Sequence, residues 1–187
     1  MTTVYIIIGI VAIILILMAS TYNGLVRLRN RVKNAWAQID VQLKRRHDLI
    51  PNLVETTKGY MTHERGTFEA VTKARNLAQQ AVGTGVGAQS KAEGELSGAL
   101  ARLLVVVENY PDLKANQNFL ALQEELTSTE NKIGFSRQYY NDSVLRYNNK
   151  TQMFPSNMMA GMMGFKASEF FEVTAAEERE APKVSFS

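Results

Sequence analysis

The chain has 187 residues, 45% of them hydrophobic and 21% charged, enough for one helical or mixed domain with an appendage. It has no cysteine, which excludes disulfides and thiolate metal sites, and a net charge of only +3, too mild to signal a nucleic-acid binder by itself.

The first 26 residues carry no charged side chain, and VYIIIGIVAIILILMA (Val4–Ala19) is apolar apart from Gly9. With the weakly polar residues after it, this run is long enough for a transmembrane helix, with Val4, Ile10, Leu15 and Ala19 along the span. Tyr5 and Tyr22 bracket it, roughly 26 Å apart on a helix, near the thickness of the hydrocarbon layer. A cleaved signal peptide is the rival reading. It is disfavoured, because MTTVY has no basic residue and no small-x-small cleavage site follows. Arg27, Arg29, Arg31 and Lys33 come directly after the span and nothing basic precedes it. The positive-inside bias then puts a short N-terminus outside and the remainder in the cytoplasm. These four basic residues also suit anionic headgroups.

Past the anchor the pattern is helical. Leu25, Leu28, Val32, Ala35, Ile39, Leu43 and Ile50 recur at steps of three and four, with Arg46 where an apolar residue is due. In KRRHDLIPNL, Pro51 suits the first turn of a helix and Asp48 suits a cap, which predicts a helix corner at Asp48 and Pro51. Lys44 and Arg45 are then exposed basic residues at a bundle corner, available to a partner. A less regular stripe follows: Leu53, Thr57, Tyr60, Glu64, Phe68, Val71 and Ala78. The glycines of VGTGVGAQS read as a flexible connection and not as a phosphate loop, since no Gly-Lys-Ser/Thr follows. A short third helix carries Leu96, Leu100, Leu103 and Val107. Pro111 interrupts, Asp112 or Asn116 can cap the next helix, and a long fourth stripe runs from Phe119 to Tyr147.

These elements predict an all-α fold in which an N-terminal transmembrane helix continues into an antiparallel four-helix bundle with long helices. The expected divisions are an anchor over 1–26, a bundle over 27–150, a Met/Phe-rich packing segment over 151–172 and an acidic, disordered tail over 173–187. The packing segment holds five of the eight methionines. Met158, Met159, Met162 and Met163, with Phe165, Phe170 and Phe171, are candidate interaction residues. They suit packing on the bundle or a partner, contact with a membrane surface, or, through thioethers, a soft metal; the neighbouring phenylalanines favour apolar contact.

No catalytic arrangement stands out. His47 and His63 are the two histidines; neither lies in a Glu-x-x-His or a spaced zinc-protease motif, and Gly-x-Ser-x-Gly is absent. Catalytic, cofactor-binding and metal residues are therefore each expected to be none, and no cofactor is implied. Helix-turn-helix and aromatic RNA-binding signatures are missing, so no nucleic acid is expected. A charge on a bundle seam needs a partner, which predicts that Arg46 or Arg137 pairs with Glu64 or Glu108.

QLKRRHDLIPNLVETTKGY, YPDLKANQNFLALQEEL and RQYYNDSVLRYNNKTQMFPSN, together with the anchor, closely resemble the bacterial LemA family over nearly the whole chain. The resemblance implies a short outside N-terminus, one transmembrane helix, a soluble four-helix domain, no catalytic activity and no cofactor. MMAGMMGF departs from it, since Leu, Val and Phe are commoner there. The resulting expectation is a non-enzymatic, self-assembling scaffold with the lipid bilayer and further copies of itself as partners, possessing the geometry to shape or organise membrane. The alternative is an adaptor for a membrane protease or envelope-stress system, with a membrane protein as partner.

Overall fold

The computed structural model describes residues 1–172. The acidic tail expected over 173–187 lies outside the described residues. Six helices occur in order: α1 (Thr2–Lys58), α2 (Arg65–Gln80), α3 (Val86–Val107), α4 (Pro111–Lys114), α5 (Gln117–Gln152) and α6 (Ser156–Met162). No strand occurs among the described residues, and the fold is all-α. Two compact units divide the chain, one from residues 1–39 and 136–169, the other from 40–135 with the segment that begins at Phe170.

The helix corner expected at Asp48 and Pro51 is not there. Helix α1 passes through Pro51 and ends at Lys58. A proline inside a helix removes the N–H that would serve the carbonyl four residues earlier, here that of His47. That carbonyl is served from elsewhere: Arg75 Nε of α2 donates to it at 2.8 Å. The orphaned acceptor is satisfied by a cation, so the helix continues. The chain reverses instead around Gly59–Glu64.

Two further expectations shift. The third helix is not short: α3 has 22 residues against 16 in α2. Of the glycines read as a flexible connection, only Gly83 and Gly85 lie between helices, with φ of +80° and +122°, the region where other residues are strained. At the other end of α3, Asn116 caps α5 as its spacing suggested: its Oδ1 accepts from Phe119 N–H at 3.0 Å.

In the second unit, α1 contributes Ile50, Leu53 and Val54 to a core completed by Phe68 and Val71 of α2, Leu96, Leu100 and Leu103 of α3, Leu113 of α4, and Phe119 and Leu126 of α5. Two threonines of the predicted stripes are satisfied within this unit. Thr57 Oγ1 donates to the Leu53 carbonyl at 2.9 Å and Thr129 Oγ1 to the Glu125 carbonyl at 2.8 Å, each within its own helix.

In the first unit, Trp36 of α1 meets Tyr140 of α5 edge-on, with ring centroids 5.4 Å apart. Helix α6 ends in a glycine-terminated cap. Gly164 has φ +69°, Phe165 N–H reaches the Ala160 carbonyl at 2.9 Å, and Gly164 N–H bonds Gly161. This cap turns Phe165 onto α1, where it lies edge-on to Tyr22 at 5.9 Å and beneath Arg29 at 5.1 Å. The segment after it is laced to α5. Tyr147 Oη donates to the Lys166 carbonyl at 2.9 Å, Tyr140 Oη to that of Glu169 at 2.9 Å, and Asn148 exchanges two hydrogen bonds with Ser168. Burial and the Glu169 charge push the Tyr140 hydroxyl up to about 12, which keeps it a donor.

The Pro51 arrangement makes a coupled pair. Arg75→Ala is expected to destabilise the wild type by about 1 kcal/mol through the unserved His47 carbonyl. In a Pro51→Ala background, where residue 51 regains its N–H, the same change should cost less. A double-mutant cycle from denaturant unfolding followed by circular dichroism measures that coupling.

Candidate functional site

The most concentrated polar chemistry of the second unit lies inside it. Arg46 occupies an apolar-stripe position of α1 and is 1% exposed. A guanidinium held there needs several acceptors at once, because an unpaired buried charge is strongly unfavourable. It has them. Nη1 donates to Ser97 Oγ of α3 and to Glu130 Oε1 of α5, each at 2.7 Å. Nη2 pairs with the Glu93 carboxylate of α3 and reaches its backbone carbonyl at 3.4 Å. His47, the next residue on α1, places Nε2 3.0 Å from the other Glu93 oxygen. Three helices therefore converge on one cation.

The partners differ from those expected. Glu64 instead accepts from Tyr110 Oη at 3.2 Å, and Glu108 pairs with Lys114. Glu93 was not singled out in the sequence, yet the signal was available. Gln89, Glu93, Leu96, Leu100, Leu103 and Val107 repeat at steps of four and three, and all six are buried. The stripe of α3 simply begins with polar residues.

Electrostatics follow from this packing. Burial works to raise the Glu93 carboxyl, but the polar contact with His47 and the charges of Arg46 and His47 outweigh it and hold the group below its ordinary 4.5. The cluster is not fully satisfied: Arg46 Nε, Gln42 Oε1 and Gln89 Nε2 are buried without a hydrogen-bond partner, and the His47 Nε2–Glu93 Oε1 approach at 3.0 Å lacks hydrogen-bond geometry. His47 and Glu93 have side chains 5% and 3% exposed, so the pair is closed to a dissolved substrate. Among the described residues, no group of three or more His, Cys, Asp and Glu side chains stands ready to hold a metal ion. What the arrangement does chemically is fix the register of α1 against α3 and α5.

The other sequence-derived positions are dispersed. Val4, Ile10, Leu15 and Ala19 are exposed, as is every residue from 1 to 20. Arg27, Arg29, Arg31 and Lys33 are exposed one after another along α1. Lys44 and Asp48 face outward, and Arg45 pairs with Glu125 of α5. His63 is exposed and far simpler in its surroundings than His47. Met159 and Phe171 are buried, Met159 against Leu25 and Ala160, so of the readings offered for them these two take packing within the fold. Their apolar surface is consumed by the fold. Met158, Met162, Met163 and Phe170 remain exposed. An open groove of about 830 Å³ follows α2, lined by Lys58, Met61, Arg65, Phe68, Lys73 and Leu77 among others.

The family model of the LemA family matches residues 35–186. The chain belongs to the LemA family. Two magnetosome proteins are relatives: MamQ 2 of Paramagnetospirillum magneticum, 26% identical over 81% of this chain, and MamQ of Magnetospirillum gryphiswaldense, 25% identical over 80%. Protein LemA of Metamycoplasma hominis is 24% identical over 83% of this chain and 70% of its own length. This LemA-family chain spans 64% of the length of each magnetosome relative. The apolar start of α1, with mean hydropathy 2.8 over its most apolar stretch, is long enough to cross a membrane, and the protein is membrane-associated.

The lowered Glu93 group sets a pH dependence. The folded state holds it below 4.5, so its contribution to stability is fully present above about pH 4.5 and is lost as pH falls through the lowered value. Denaturant midpoints of the full chain in detergent are expected to fall below pH 4.5, and Glu93→Gln is expected to flatten that fall while lowering stability at neutral pH.

Proposed function

We propose that this LemA-family chain is a non-enzymatic, single-pass scaffold that self-assembles at the cytoplasmic face of a bacterial inner membrane and organises the membrane there. The observation that carries this reading is the bare apolar run at the start of α1, long enough to cross a membrane and followed at once by four exposed basic residues. Self-assembly then needs apolar surface on the domain to bury. Val105 and Phe135, about 70% and 74% exposed in the second unit, supply apolar surface for such contacts. The four exposed basic residues directly after the span support the cytoplasmic orientation. The matched relatives are named for the magnetosome and for the family, not for a reaction.

A second reading rests on the groove along α2. Its Lys58, Arg65 and Lys73 suit an acidic segment of another protein, the role of an adaptor for a membrane protease or envelope-stress system.

Sedimentation of the full chain in detergent, across a range of protein-to-detergent ratios, separates the readings. The scaffold reading expects oligomers that grow with concentration. It also expects Phe135→Glu to weaken them roughly tenfold, the scale of one lost buried aromatic. A monomer at every concentration contradicts it and leaves the adaptor.

A further inference from the structure

The exposed methionines have a place in the fold that the scaffold role does not use. In the first unit α1 and α5 meet where Trp36 lies edge-on to Tyr140. Further toward the start of α1, Phe165 lies edge-on to Tyr22, and Met159 and Ala160 pack with Leu25. Tyr22 and Leu25 are where the apolar run of the anchor gives way to Arg27. The turn at 153–155 and helix α6 are therefore held at the membrane-side end of this unit.

At that level the protein leaves apolar side chains uncovered. Met153, Phe154, Met158 and Met162 are 64%, 79%, 64% and 72% exposed, and Met163 is 53% exposed. Such a patch on a water-facing surface is unfavourable and marks a contact. Its occupant is indicated by what it adjoins. Residues 1–20 of the anchor are equally bare, and exposed Arg27, Arg29, Lys150 and Lys166 lie close in sequence to the patch or to the residues of α1 that α6 packs on. Bare apolar side chains next to cations suit the headgroup–acyl boundary of an anionic bilayer. Methionine, unbranched and adaptable, suits a fluid partner.

We propose that Met153, Phe154, Met158, Met162 and Met163 form a second membrane contact, seated in the boundary layer of an anionic bilayer beside the transmembrane anchor. The contact gives the domain two points of attachment to the lipid, the span and the α6 platform. It relies on the anchoring of the chain but not on self-assembly.

Depth-dependent quenching tests this on the full chain. In a Trp36→Phe background, which keeps a ring against Tyr140, tryptophan is placed singly at Phe154 or Met162. Each variant is reconstituted into phosphatidylcholine–phosphatidylglycerol vesicles whose acyl chains are brominated near the headgroup end. Ile10→Trp marks the span and free N-acetyltryptophanamide marks water, and circular dichroism verifies that each variant is helical. The proposal expects blue-shifted emission at both sites and quenching by about twofold, as for a residue buried at the boundary. Water-like emission with no quenching overturns it. Blue-shifted emission without quenching also overturns it, since protein from a second copy would then cover the patch. Either site alone decides the outcome if the other variant fails to fold.

Discussion

The Arg46 guanidinium is the constraint on which the second unit depends. It sits where the hydrophobic stripe of α1 calls for a leucine, and it brings Glu93 and Ser97 of α3 and Glu130 of α5 to itself. Apolar packing around it is non-directional and tolerates small slips of one helix along another. A cation with carboxylates on two other helices does not. Sliding α1 by one turn would leave charges buried and unpaired, at a cost of several kcal/mol per ion. The partners also explain the adjacent peculiarities. His47 shares Glu93 with Arg46, and the His47 carbonyl, deprived of its helical donor by Pro51, is taken by Arg75 of α2. Two consecutive residues of α1 thus contact α2, α3 and α5 through polar groups alone.

In the first unit the start of α1 has its own fastening, in which the glycine cap of α6 turns Phe165 onto Tyr22 and Arg29. The segment after Gly164 is then laced to α5 by Tyr147, Asn148 and Tyr140. Residues 166–169, outside any helix, are held there by hydrogen bonds to their backbone.

Much of this was legible in the sequence. The three–four spacing from Leu25 to Ile50, and again from Phe119 to Tyr147, marks side chains that are nearly all buried, because helical periodicity and burial share one cause. Asn116 was readable as a cap for the same local reason. The failures have physical sources. Pro51 suggested a helix start because local rules cannot know that a distant Arg75 will serve the freed carbonyl. Gly87 suggested a flexible connection, although it lies within α3. Arg46 was correctly singled out as needing a carboxylate, but its partners lie 47 and 84 residues away. Pairing over that distance depends on how helices cross, which periodicity does not encode. Met159 and Met158 illustrate the limit at single-residue scale: neighbours of identical composition, one buried against Leu25 and one exposed.

The measurement that bears most directly on this account is the unfolding free energy of the full chain in detergent, for Arg46→Met alone and combined with Glu93→Leu. If the ion cluster fixes the register of the helices, the single change strands a buried carboxylate and destabilises the protein by about 3–5 kcal/mol, while the double change recovers most of that loss. A single variant within about 1 kcal/mol of the wild type, or a double variant no more stable than the single one, would contradict it.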